Sequence, residues 1–195
     1  SLPEATLTGG DYTLGTLTKL GERMPNVPLI RFDLAASPLS SDAYDALVLL
    51  NVLEHIEDDA AAVQHVARML KPGGVAVIEV PAGPELFDDY DRELKHFRRY
   101  TLQGLCRIIE RAGLAIERKN YLGGLIYPAF YLAKKMSRIR PKPPAARERH
   151  VKSAIGITSR FNFLGHAIMS LEDSISGSVE FPRGIRCVVT ARKPL

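Results

Sequence analysis

The stretch LLNVLEHIEDD, from Leu49 to Asp59, ends an apolar run and then places an amide, a carboxylate and an imidazole within five positions, at Asn51, Glu54 and His55. A chain that passes this abruptly from buried strand to polar side chains suits the mouth of a pocket. A histidine there has the proton affinity of a general base near neutral pH. A second group lies in ELFDDYDRELKHFRRYT, residues 85–101. Its His96 is another candidate base, and Arg98, Arg99 and Tyr100 suit an anionic or phenolic substrate, because a guanidinium forks onto carboxylate or phosphate. The alternative is a solvated loop whose charges pair among themselves. Its acids, Asp88, Asp89, Asp91 and Glu93, are sequence neighbours that need not converge as a hard cation requires. No metal is expected.

These residues need elements to hold them. EATLTGGD (4–11) reads as a strand, LGTLTKLGERM (14–24) as a helix, VPLIRFDL (27–34) and YDALVLLN (44–51) as two more strands. The unbroken apolar run from Ala46 to Leu50 predicts a strand covered on both faces, as in a parallel sheet. DDAAAVQHVARML (58–70) is a helix capped by Asp58 or Asp59, and KPGG (71–74) is expected to end it in a turn. VAVIEV (75–80) is a strand, Thr101 caps a helix that closes at Gly113, and LAIERKNY (114–121) is a strand. A helix over 159–173 and a final strand over 184–193 follow. Strands alternating with helices predict a doubly wound α/β sheet, Rossmann-like and mostly parallel, with the last two strands able to pair antiparallel at an edge.

In such sheets ligands bind beyond the carboxyl ends of the strands, where Asp11, Asp33 and Asn51 to His55 fall. An acid after an early strand can accept from two ribose hydroxyls, and an acid one strand along can accept from an adenine amino group. Together they suggest an adenosine-containing ligand, although Asp after a strand is also ordinary turn chemistry.

Asp11, Asp33, NVLEHIED, LKPGG and DRELKHFRRYT occur in an order and spacing that resembles the class I S-adenosylmethionine-dependent methyltransferases, most of all the small-molecule branch that includes the ubiquinone-biosynthesis O-methyltransferases. The resemblance runs over residues 4–121 and resumes at 181–194. It implies S-adenosylmethionine as cofactor and transfer of a methyl group to an oxygen or nitrogen of a small, lipophilic or anionic acceptor. By position, Asp11 binds the ribose with Gly10 allowing close approach. Asp33 and Leu34 hold the adenine, Asn51 and Val52 line the methionine end, and Glu54 and His55 face cofactor and substrate. In relatives of this kind a segment such as 85–101 covers the substrate pocket. One departure stands out. The family's glycine-rich loop, Gly-x-Gly-x-Gly after the first strand, has no counterpart here. The expectation is that roughly 40 or more residues precede Ser1, judged from the length of a βαβ unit, and supply a strand beside Ala46 to Leu50.

Totals fit this reading. The 195 residues are 46% apolar and 25% charged, which suits a single domain with a core. No apolar run reaches membrane-spanning length and Ser1 opens no signal peptide. Cys106 and Cys187 each lie in an apolar periodic segment and read as buried free thiols of a reducing, cytoplasmic compartment. The net charge of +4 is uneven. Lys134 to Lys152 holds eight Lys and Arg against Glu148, a net +7, which leaves −3 for the rest and argues against a nucleic-acid binder. YLGGLIYPAFYLAKKMSRIRPK (121–142) has the composition of an interfacial helix, so contact with a membrane or a lipid-linked substrate is an alternative to an ordinary lid. Within the domain, 122–158 reads as a lid or insertion with a basic linker. Two rivals remain at this stage: a non-catalytic binding or regulatory protein on the same fold, and a nicotinamide-dependent oxidoreductase. The acceptor's identity and the oligomeric state are not written in these residues.

Overall fold

A computed structural model describes residues 5–139 and 181–195. The expected helix over 159–173 lies outside them. Six strands alternate with helices: β1 Gly9–Asp11, α1 Leu14–Arg23, β2 Leu29–Arg31, β3 Tyr44–Leu50, α2 Asp59–Met69, β4 Leu70–Pro81, α3 Asp89–Glu93, α4 Leu102–Arg111, β5 Ala115–Leu122, α5 Tyr127–Ile139 and β6 Arg186–Arg192. β1 and β2 pair in parallel as a two-stranded sheet, and a four-stranded sheet has the order β3-β4-β6-β5. β3 and β4 are parallel, while β6 runs antiparallel to both β4 and β5. The antiparallel pairing expected at an edge is therefore present. β6 itself lies inside the sheet and β5 takes the edge.

The core lies between this sheet and the helices α2 and α4. Ala62, Val63 and Val66 of α2 and Leu105 and Ile109 of α4 meet Ile78 and Val80 of β4 and Val189 of β6, all fully buried. Cys106 and Cys187 are buried free thiols, as expected, and burial pushes the Cys187 thiol up to about 12. The helix starts follow capping rules: Asp58 accepts from Ala61 N at 2.9 Å and Thr101 from Gly104 N at 3.0 Å.

Two expectations need correction. α2 stops at Met69, one residue short of the predicted 58–70, and Lys71–Gly74 belongs to β4 rather than to a separate turn. The register with β3 shifts there, from Tyr44↔Leu70 to Ala46↔Val75, so Pro72 and the two glycines form a bulge in which proline removes no ladder bond. The described residues do not cover β3 on both faces. It pairs with β4 alone among the described residues, and Val48 and Leu50 are 62% and 55% exposed. An apolar run predicts interior placement only when something lies on each side of it.

Candidate functional site

The turn after β3 begins at Asn51, whose φ is +54°. Asparagine tolerates this left-handed region better than most residues, so the residue type at 51 answers a backbone requirement. Its amide donates to Glu79 O at 2.9 Å, and the chain enters a 3₁₀ turn, Leu53–His55. Leu53 and Glu54 turn inward and His55 outward. Val52 and Leu34 pack half-buried against the core.

The segment 95–100 is stitched across this turn. Phe97 N donates to Glu54 O at 2.8 Å, and Tyr100 N donates to Pro81 O at 2.9 Å. These two backbone bonds bring His96 to His55. The rings meet edge to face, with centroids 4.6 Å apart and planes at 79°. Glu54, His55 and His96 each offer a ligand atom within 4.8 Å of the other two. Sequence reading named all three residues but saw no link between 54–55 and 96. No periodicity marks it, because it rests on long-range backbone bonds.

The electrostatics of the cluster are unusual. Glu54 is fully buried, and neither carboxylate oxygen has a hydrogen-bond partner among the described residues. Burial pushes its pKa up to about 7, against the pull of its own amide, His96 and Arg186. Partial burial lowers the His55 pKa, helped by His96 and opposed by the Lys95 backbone and the negative charge of Asp11.

Behind His96 stands Asp91, also fully buried. Its Oδ1 accepts from His96 Nδ1 at 3.1 Å and Arg99 Nε at 2.8 Å, and its Oδ2 from Asp88 N at 3.0 Å and Lys134 Nζ at 3.5 Å. Burial alone would raise its pKa, but the His96 hydrogen bond and the cations of Arg99 and Lys134 hold it well below the carboxylate range. Lys134 also reaches Asp88 at 2.7 Å, which ties α5 to the 85–101 segment.

Those partners decide how the arginines and Tyr100 are used. Arg99 is buried on Asp91 and on Ala82 O. Arg98 pairs with Asp59 at 3.0 Å and Glu57 O at 2.6 Å. The Tyr100 hydroxyl donates within the core toward Asp59 Oδ2 at 2.8 Å and Leu53 O at 3.1 Å, and burial followed by the Asp59 contact raises its pKa far above the phenol range. All three were expected to meet substrate. The described contacts use them to brace the segment that carries His96. The acids Asp88 and Asp91 form the capping box of α3, and Asp89 pairs with Arg92.

Asp11 is the last residue of β1, and Asp33 lies two residues beyond the parallel β2. Each spends one carboxylate oxygen on its own turn, toward Thr13 N at 2.6 Å and Ala35 N at 2.9 Å. Each thus keeps a second oxygen for a ligand hydroxyl or amine, so the pair fits the adenosine part of S-adenosylmethionine. A Cβ at Gly10 would lie 2.6 Å from the Phe32 ring, so the glycine makes room for that side chain. A concavity of about 490 Å³ runs along α1 by Thr13, Thr16, Lys19 and Arg23, and none of the predicted site residues lines it. A second, of 230 Å³, is lined by Tyr100, Thr101, Tyr121 and Tyr127.

Residues 15–119 match the family model described as a methyltransferase domain. A protein of Mycolicibacterium smegmatis described as a probable S-adenosylmethionine-dependent methyltransferase is 32% identical over 111 residues, which is 56% of this chain and 43% of the relative. The demethylmenaquinone methyltransferase of Corynebacterium kroppenstedtii is 39% identical over 70 residues, 36% of this chain and 30% of the relative. The chain therefore spans less than half the length of these relatives. Among solved structures, phosphoethanolamine N-methyltransferase 2 of Haemonchus contortus in complex with S-adenosyl-L-methionine superposes with a TM-score of 0.63 at 17% identity, over 97% of this chain and 44% of that one. An S-adenosylmethionine-dependent methyltransferase of Mesorhizobium loti gives 0.60 at 16%, over 96% and 81%. At these identities the structures speak for the fold.

Proposed function

The chain belongs to the class I S-adenosylmethionine-dependent methyltransferases, and from that premise we propose that it moves a methyl group to an oxygen or nitrogen of a small acceptor held between the 3₁₀ turn Leu53–His55 and the segment 95–100. The observation that carries this reading is the placement of Asp11. It ends the strand paired in parallel with the one that leads to Asp33, and each acid spends one carboxylate oxygen on its own turn, which leaves the other for the ribose or the adenine.

The bound cofactor supplies an activated methyl group on a sulfonium. The chain's own residues position it and the acceptor. Asp11 would hold the ribose and Asp33 the adenine, with Leu34 packed beneath. Asn51 and Val52 shape the wall toward the methionine end, and Glu54 closes it. His55 and His96 stand where the acceptor is activated, and Asp91 fixes the His96 ring. Exposed Tyr131, Leu132 and Met136 on α5 support an acceptor with an apolar portion. No helix among the described residues is long and apolar enough to cross a membrane.

Calorimetric titration of S-adenosylhomocysteine into the purified chain tests the reading. One site of micromolar strength is expected. Asp11→Ala should weaken it at least tenfold, because a hydrogen bond to a charged group contributes about 1.5–3 kcal/mol. Absence of binding would replace this reading with a non-catalytic one.

A further inference from the structure

We propose that Glu54, His55 and His96 form a binding site for one borderline first-row divalent cation, with Zn²⁺ as its natural fit. Four observations carry it. One ligand atom from each of the three residues lies within 4.8 Å of the other two. The Glu54 carboxylate is completely buried with both oxygens unpartnered, a state that costs several kcal/mol unless something compensates it. His96 gives Nδ1 to Asp91 at 3.1 Å, which leaves Nε2 as its available donor, and Asp91 is itself held by Arg99 and Lys134. A histidine backed by a hydrogen-bonded carboxylate is the usual support of a metal-ligating imidazole. Finally, the two imidazoles meet edge to face with centroids 4.6 Å apart, close enough for one ion to bridge a nitrogen of each.

The donor set selects the ion. Two imidazole nitrogens and one carboxylate oxygen suit Zn²⁺ or Co²⁺, whereas Mg²⁺ and Ca²⁺ ask for oxygen alone. Ligand bonds of about 2.1 Å in a tetrahedron put donors about 3.4 Å apart, so the three side chains must close by roughly 1 Å. Charge favours the closure. Asp88 and Asp91 are already balanced by Arg99 and Lys134, which leaves the Glu54 carboxylate as the local excess. His55 is exposed, so a fourth position opens outward, as in sites with three protein ligands and one exchangeable one. This deepens the methyl-transfer reading and rests on it for its purpose: a cation there would polarise the acceptor oxygen and lower its proton affinity.

The test needs no turnover. The full chain is stripped of metal with a chelator and titrated with Co²⁺, and the visible d–d absorption is followed. Coordination bands saturating at one equivalent and displaced by Zn²⁺ are expected. Glu54→Gln and His96→Asn should each abolish them. Asp91→Asn should weaken Co²⁺ affinity by roughly 10–100-fold, and His65→Asn on α2 should leave it unchanged. Circular dichroism confirms folding, and Glu54→Gln, which keeps the side-chain shape and removes a buried charge, guards against loss of the fold in the others. Absent bands, bands that persist in both Glu54→Gln and His96→Asn, or binding of Mg²⁺ in preference to Co²⁺ would each overturn the proposal. Binding of S-adenosylhomocysteine without Co²⁺ bands would sink the cation site alone. Co²⁺ bands without S-adenosylhomocysteine binding would sink methyl transfer and leave the site standing.

Discussion

The sheet of β1 and β2 and the sheet of β3, β4, β6 and β5 are built to different standards. Among residues 5–36, Leu17 alone is buried, and Tyr12 and Leu14 are largely exposed. The four-stranded sheet has a continuous core on α2 and α4, with Leu53, Leu70, Ile78, Leu105 and Ile109 sealed from solvent. The acids proposed for the cofactor stand on the sparse piece. The groups proposed for the acceptor stand on the dense one, braced by Asp91, Arg99 and Tyr100. Binding and chemistry therefore draw on parts of the molecule with different stability. Changes to one should be separable from changes to the other, since the low-stability end of a protein is where ligand-linked ordering occurs.

That contrast can be broken by measurement. Asp91→Ala should be the most damaging single change, about 3–5 kcal/mol by denaturant unfolding, because it leaves the buried Arg99 guanidinium without its carboxylate partner. Loss below ~1 kcal/mol would mean that this network does not brace the segment. The same carboxylate sets a pH dependence. Its pKa is depressed on folding, so its contribution is complete above the unfolded value near 4 and is lost as pH falls through the lower folded value. Acid unfolding of Asp91→Asn should be shallower than that of the parent. Ile109→Ala should cost about 2–5 kcal/mol through the cavity it leaves, read as a fall in Tm. Tyr100→Phe should cost about 1–3 kcal/mol, since it leaves buried Asp59 and Leu53 O one donor short. Leu14→Ala, on the sparse piece, should stay within about 0.5 kcal/mol. A cost as large as that of Ile109→Ala would show that the first sheet is covered in solution and would erase the contrast.

Much of the fold was legible because its signals are local. The stripe Val63, Val66, Ala67 and Leu70 announces α2, and the Asp58 and Thr101 caps mark two helix starts within a residue. The order of the strands followed from pattern, as did the possibility that the last two pair antiparallel, whereas α3 and α5 fall in stretches read as a loop and as a lid or insertion. The β4 bulge was not legible, since Lys-Pro-Gly-Gly stops a helix equally well whether a turn or a distorted strand follows. The exposure of β3 agrees with the expectation that its neighbouring strand comes from outside these residues. At the site, His55, His96 and Glu54 stood out by residue type. The partners of Arg99 and Tyr100 were not legible, because a sequence shows a cation or a phenol without what it pairs with, here Asp91 and Asp59.

The interior position of β6 has a consequence for how the chain is made. Residues 186–192 hydrogen-bond on one side to β4 and on the other to β5. Neither neighbour can find its final pairing until residue 192 has left the ribosome. At about 5–20 residues per second, the wait between the end of β4 and the arrival of β6 lasts ~5–20 s. Throughout it, Val75 to Pro81 offers an unpaired edge to any passing strand. A nascent chain with this topology needs shelter during synthesis more than the finished protein does, and slow codons between β5 and β6 should lower the yield of folded protein.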